Sequence, residues 1–184
     1  MSTERAEHND HGEHRLITGP LPSGEWEIAA DGSAINFSTR AILGILPVSG
    51  LFERFSGEMS VDGGGHTTGR LVVASASIDT GIEQRDLHLR SPDFFDCERY
   101  PEVVFVLAEL APSGAEHLDL RGMLRIGGHE LQLAFPVHAI AHDDHLHLEG
   151  RTVIDHRRAG LGWAKAGRIA PKVRVAVSLT LNRS

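Results

Sequence analysis

Near the C-terminus, Val173, Val175, Val177, Leu179 and Leu181 alternate with Lys172, Arg174, Ala176, Ser178 and Thr180. A period of two is the signature of a β-strand with one buried face. The same alternation runs through Leu118, Leu120, Gly122, Leu124 and Ile126, then through Leu131, Leu133, Phe135, Val137 and Ala139. It returns in Leu146, Leu148, Gly150, Thr152 and Ile154. Between these runs stand Gly127-Gly128 and His142-Asp143-Asp144, which suit tight hairpin turns. A meander of hairpin-connected antiparallel strands is therefore expected over the C-terminal half.

Upstream, Ala34 to Arg40, Val48 to Val61, Gly69 to Ile78 and Glu102 to Leu110 are further strand candidates, separated in part by Gly44-Ile45-Leu46-Pro47 and Asp62-Gly63-Gly64-Gly65. A helix is expected between about Ile82 and Phe95, with Pro92 starting a second short turn. About eight strands and one short helical excursion predict an all-β fold whose antiparallel sheet closes into a barrel. An open sheet would leave two long apolar edges, which natural proteins avoid. An immunoglobulin-like sandwich is the competing architecture, but the chain has one cysteine and lacks the Cys…Trp…Cys pattern of such domains.

A length of 184 residues with no Pro/Gly/Ser-rich divider suits one domain. Residues 1–22 carry His8, His11 and His14, end in Pro20 and Pro22, and are expected to form a flexible tail, leaving 23–184 as the barrel domain. The net charge of −7 disfavours nucleic acid and anionic membranes as partners. Cys97 has no second cysteine to pair with, so the fold must rest on its core and the thiol is read as structural. The segment from Met1 to Asp10 is polar where a secretory signal needs an apolar run, and no stretch approaches the ~20 apolar residues of a membrane span. The expectation is a cytoplasmic chain without stable membrane insertion.

One segment is more specific than periodicity. Ser77-Ile78-Asp79-Thr80-Gly81 is followed by Arg85-Asp86-Leu87-His88-Leu89-Arg90-Ser91-Pro92-Asp93-Phe94-Phe95-Asp96 and then Tyr100-Pro101. It resembles the signature of the YceI-like, polyisoprenoid-binding family. Trp26-Glu27-Ile28, Ile35-Asn36-Phe37, Gly50-Leu51-Phe52 and Phe55-Ser56-Gly57 resemble its opening strands, and the likeness continues through Leu120-Arg121-Gly122-Met123-Leu124 and Pro136-Val137, covering about residues 25 to 182. The resemblance implies an eight-stranded lipocalin-like barrel, often a homodimer, whose pore holds an isoprenoid chain, a quinone tail or a fatty-acid-like lipid without catalysis.

Phe37, Leu51, Phe52, Phe55, Leu87, Leu89, Phe94, Phe95, Phe105, Leu133, Phe135 and Trp163 are the apolar residues assigned to the pore or its mouth. Arg85, Asp86 and His88 are candidates for gripping a polar head group, a fixed arginine suiting a carboxylate or phosphate. The same three residues could instead fix the helical excursion by local pairing, and no nucleophile accompanies His88. No catalytic residue and no cofactor is expected. Two alternatives remain: a metal-binding or dimerisation module using His142, His145 and His147 with Asp143 or Asp144, and a hydrolase or isomerase acting through Asp86 and His88. Alternation turns His145 and His147 away from Leu146 and Leu148, hence outside the barrel.

Overall fold

The computed structural model describes residues 15–17, 19–41, 45–114, 117–141, 144–159 and 170–184. Its first strands are β1 (Arg15–Leu16), β2 (Gly24–Ala41), β3 (Leu46–Phe52), β4 (Phe55–Val61), β5 (Thr67–Ala74) and β6 (Ile78–Asp79). The helix α1 (Glu83–Arg90) comes next, followed by β7 (Glu102–Ser113), β8 (His117–Ile126), β9 (His129–Ala141), β10 (His145–Asp155) and β11 (Lys172–Arg183). Every pairing is antiparallel, and the ring runs β2, β4, β5, β7, β8, β9, β10, β11 and back to β2. The result is a closed eight-stranded barrel with one short helix. No helix among the described residues is long and apolar enough to cross a membrane.

Strand phase decides which side chains enter the barrel, and two irregularities shift it. In β2, Thr180 pairs with Ala29 and Ser178 with Ala34, so β2 spends extra residues opposite Leu179. Its buried face moves from Trp26 to the odd-numbered Ile35. Ser33 holds this bulge, its Oγ accepting the amide of Thr180 at 2.9 Å. In β7 the register shifts between Leu107 and Glu109, and burial passes from Leu107 to Leu110. The Gly127-Gly128 hairpin turn has φ of 55° and 79°, the left-handed pair that a two-residue turn between twisted strands requires.

Three expected elements differ in extent. The run from Val48 to Val61 breaks at Glu53-Arg54, whose amides donate to Ser77 O and Ser77 Oγ, both at 3.1 Å. The run from Gly69 to Ile78 ends as a strand at Ala74, and Ile78 belongs to the short β6 that pairs with β3. The helix stops at Arg90 rather than continuing to Phe95, because Ser91 precedes Pro92 and takes an extended conformation with ψ 167°. Phe94 and Phe95 sit in the turns beyond it, where the amide of Phe95 donates to Leu89 O at 3.1 Å.

The core has two parts. One end of the barrel is packed solid around Trp26, Leu118, Ala139, Leu146 and Leu181. The second cluster joins α1 to the opposite end through Ile78, Leu89, Phe94, Phe95, Leu124, Ile126 and Leu131. The solid end also takes in Ile17 and Leu21. β1 pairs with β9, and the Ile17 amide donates to Ala139 O at 2.8 Å. Residues assigned to the tail by their lack of periodicity therefore contribute to the core, and the packed domain begins before residue 23. Two apolar residues with Pro20 between them make no strand alternation and no repeated helical face, so the sequence offered no periodic signal for them. Replacing Ile17 with Ala should destabilise the fold by about 2 kcal/mol or more, read as a lower midpoint in a denaturant titration. An unchanged midpoint would show that the segment does not pack.

Candidate functional site

Between the solid end and α1 the barrel is hollow, with a cavity of about 420 Å³. Its wall is continuous in apolar side chains from the strands of the ring, including Ile35, Val73, Leu107, Leu120, Leu148 and Val175. Rings large enough to fill the axis are instead laid against the wall. Phe37 lies over Gly50, Phe105 over Gly122 and Phe135 over Gly150, so closely that a Cβ added at those glycines would stand 2.6, 2.4 and 2.9 Å from ring carbons. An aromatic over an unsubstituted backbone keeps its ring near the sheet. The aromatic lining continues towards α1, with Phe37 and Phe52 centroids 5.8 Å apart and Phe52 edge-on to Phe95 at 6.0 Å.

Of the residues expected in the pore, Phe37, Phe52, Arg85, His88, Leu89, Phe94, Phe95, Phe105, Leu133 and Phe135 line this cavity. Four others are not brought there. Leu51 faces outward and is 39% exposed, because β3 turns its even-numbered residues Val48 and Phe52 inward. Leu87 is 60% exposed. Two helical positions apart means about 200° of rotation, so Leu87 and Leu89 cannot both face the barrel. Phe55 is half-buried opposite Val73 but stands off the cavity wall beside the β3–β4 break. Asp86 is buried yet not on the wall, and it is spent locally: its Oδ1 accepts the Thr80 amide at 3.0 Å and the Thr80 hydroxyl. Trp163 lies outside the described residues.

Arg85 is tied to the same residue, its Nε donating to Thr80 Oγ1 at 2.7 Å and its Nη2 to Thr80 O at 2.8 Å. Thr80 thus holds the start of α1 through both charged neighbours. His88 stacks edge-on against Phe94 with centroids 5.0 Å apart. The arrangement fixes a helix at the cavity's edge and brings no acid–base–nucleophile set together. On the outer wall His147 contacts Thr180 Oγ1 at 3.1 Å, Glu149 Oε1 at 3.2 Å and Ser178 Oγ at 3.3 Å. Among the described residues no group of three or more His, Cys, Asp or Glu side chains is placed to hold a metal ion; His142 and Asp143 lie outside those residues.

Several aliphatic wall residues, Ile35, Leu107 and Leu148 among them, were not singled out from the sequence as pore residues, and neither was the one buried ionisable group described on the wall, His156. It is 4% exposed and lines the cavity. The even-numbered buried face of β10, extended two residues past Ile154, would have found it. Burial pushes its pKa below the usual 6.5, against the pull of Asp155 and of a backbone hydrogen bond at Ala170. Asp155 itself is held down to about 2, chiefly by the side chain of Arg157, whose Nη2 and Nε donate to its carboxylate at 2.7 and 3.0 Å. His156 is therefore neutral at pH 7, and the cavity wall stays uncharged there. Thr39 and Thr152 also reach the lining, while Glu58, Arg70 and Glu149 border it as exposed residues.

The model of the YceI-like domain matches residues 26–181. The chain belongs to the YceI-like family. A UPF0312 protein of Vibrio cholerae is 33% identical over 98 residues, which are 52% of this chain and 51% of the relative. A UPF0312 protein of Shewanella baltica is 31% identical over 100 residues, 53% of this chain and 52% of the relative. The chain spans about half the length of the curated relatives it matches. Among solved structures, BcnA of Burkholderia cenocepacia aligns with a TM-score of 0.76 at 22% identity, covering 83% of this chain and 98% of BcnA. A polyisoprenoid-binding domain from Saccharophagus degradans, described as implicated in plant cell wall breakdown, aligns at 0.73 with 17% identity, covering 86% of this chain and 98% of that domain. At these identities the solved structures establish the shared barrel fold.

The pH response of this YceI-like barrel follows from His156. A base whose folded pKa lies below its unfolded value favours the unfolded chain once that chain takes up the proton. Stability should be full above about pH 6.5 and fall as pH drops below it towards the folded pKa. Melting temperatures at about pH 7.5 and about pH 5.5 should therefore differ more in the parent than in His156→Gln. Equal differences would remove His156 as a source of acid sensitivity. The Asp155 contribution lies lower, lost between about 3.8 and 2 as its carboxylate is protonated.

Proposed function

We propose that this barrel binds a long apolar amphiphile in its interior, a polyisoprenoid, a quinone tail or a fatty-acid-like lipid, and holds it without chemical change, for transport, storage or stress protection. One observation carries the reading: a hollow of about 420 Å³ walled by apolar side chains around the ring. That volume lies within the ~300–1,000 Å³ of small-molecule pockets. An apolar wall without a convergent polar set rewards removal of hydrocarbon from water, at ~0.8 kcal/mol for each buried CH₂ less the cost of ordering the chain. The solved neighbour from Saccharophagus degradans, named for polyisoprenoid binding, supports this class of ligand.

Arg85 and His88 supply the polar end of the reading. Both stand on the cavity lining near α1, and the Arg85 guanidinium is preoriented by its two bonds to Thr80. A head group with a carboxylate, phosphate or carbonyl oxygen would meet a donor already in place, while the tail runs towards Phe135 and Leu148. The homodimer remains an expectation of the family resemblance and enters the proposal only as the form in which the carrier works.

Mass spectrometry of an organic extract of the purified protein tests the reading, with one retained lipid class expected. The companion variant is Phe135→Asp. In a ligand-filled barrel that admits water once emptied, the variant should stay folded by circular dichroism and purify with little or no lipid. In a plain packed core the buried carboxylate should cost several kcal/mol and unfold the domain. A lipid-free parent with an unfolded variant would overturn the proposal, as would release of a chemically altered lipid over time, which would make the protein an enzyme.

A further inference from the structure

The outer surface of β3, β2, β11 and β10 bears a second concavity, of about 680 Å³, back to back with the interior cavity. The register fixes its composition. Arg151 lies opposite Ala176, which lies opposite Asn36; in the next outward row, Arg174 lies opposite Ser38, which lies opposite Ser49. All six line the groove. Arg151 and Arg174 are diagonal neighbours on paired strands, about 7–8 Å apart at the backbone, so both long side chains can reach one ligand between them.

These two arginines differ from others on the barrel. Arg70, Arg121, Arg125 and Arg157 each meet a carboxylate. Neither Arg151 nor Arg174 meets one among the described residues, and no acidic side chain lines the groove. In a chain of net charge −7, two neighbouring guanidiniums that meet no carboxylate form a local positive focus, with Glu149, two residues before Arg151, engaged by His147. Between them the floor is low, because Ala176, Ser38 and Ser49 are small, and it carries two hydroxyls and the amide of Asn36 as further donors. Two planar forks above a hydroxyl-bearing floor match a tetrahedral oxyanion, which accepts several charge-assisted hydrogen bonds at once.

We propose that this groove is a second binding site, for a phosphate-class oxyanion, separate from the interior cavity. Leu51 and Val153, exposed at 39% and 51%, stand at its two sides and give a larger phosphate-bearing ligand apolar contacts. The site does not depend on what the barrel holds inside. Phe37, Thr152 and Val175 border both spaces, so one sheet serves two ligands on opposite faces.

Calorimetric titration of the full chain with inorganic phosphate and pyrophosphate, alongside flotation with phosphatidylcholine vesicles containing phosphatidylglycerol, distinguishes a free oxyanion from a lipid head group. Binding of either probe should weaken about tenfold or more in R151Q/R174Q, stay unchanged in R121Q, whose guanidinium already pairs with Glu109, and fall as salt is raised. The lipid content of the interior should be the same in all three proteins, which keeps the outcome independent of the carrier reading. Should the double variant fail to fold, Asn36→Asp puts a carboxylate on the groove floor while keeping both arginines, and it should abolish binding. No binding of either probe by the parent, or equal binding by parent and double variant, would overturn the proposal. So would a double variant that changes only the oligomeric state, because the groove would then be a contact between copies of the chain.

Discussion

The pairing of β2 with β11 is what turns a sheet into a container. Backbone pairs run from Arg183 opposite Trp26 to Arg174 opposite Ser38, and they leave neither strand an open edge. Once the seam is shut, every side chain on the inward phase is committed to one enclosed volume, and side-chain size decides whether that volume is filled. The bulge near Ser33 lets a strand of 18 residues follow the curve, and by shifting the inward phase it makes β2 serve two different ends. Before the bulge β2 sends Trp26 into the solid end, and after it Ile35 and Phe37 go to the hollow. The guanidinium of Arg183 lies 5.1 Å from the Trp26 ring centroid, so the seam and the plug meet at one contact.

The same alternating pattern therefore gives two interiors. At the solid end Trp26, Met59, Leu118, Leu146 and Leu181 pack into one buried cluster, with Met59 and Leu181 also facing the hollow. Further along, glycines take inward positions on β3, β8 and β10, and Phe37, Phe105 and Phe135 fold down over them. The inward valines of β11 at 173, 175 and 177 are too short to reach across. Emptiness along the axis thus comes from where the bulk lies, since large rings are present but placed flat on the wall. Filling one of those glycines would press its ring towards the axis, which is how this wall couples backbone packing to the shape of the cavity.

Much of this was legible in the sequence, for a physical reason. Strand alternation is phase-locked over long runs, so β8 to β11 and most of their inward residues could be read directly, and the signature around Arg85 to Asp96 pointed to the family. What stayed hidden depends on phase slips and local chemistry. A bulge changes parity without changing composition, which conceals the hand-over inside β2 and β7. Leu51 and Leu87 are apolar residues on outward phases, and hydrophobicity alone cannot place them. Ile17 and Leu21 pack through positions that have no period at all. Asp86 reads as chemistry in the sequence, yet in the fold its carboxylate is a bracket for Thr80.

The electrostatics of the interior set what it can discriminate. Asp86 is engaged with Thr80, and His156 is kept neutral by burial, so the wall offers shape and apolar area but almost no charge. On the carrier reading, a ligand shorter by one CH₂ loses only ~0.8 kcal/mol, about a fourfold change in affinity, and neighbouring chain lengths would be held almost equally well. Sharp selection would then have to come from the two ends of the cavity. The solid end gives a hard stop, since a tail too long for the hollow must displace buried Trp26 or Leu146. The α1 end gives a polar stop, where Arg85 is already oriented by Thr80 and favours ligands that place an acceptor at that depth. A barrel of this design measures a molecule between a wall and a fixed donor, so its selectivity would rest on total length and head-group chemistry together, with the tail's composition left loosely specified.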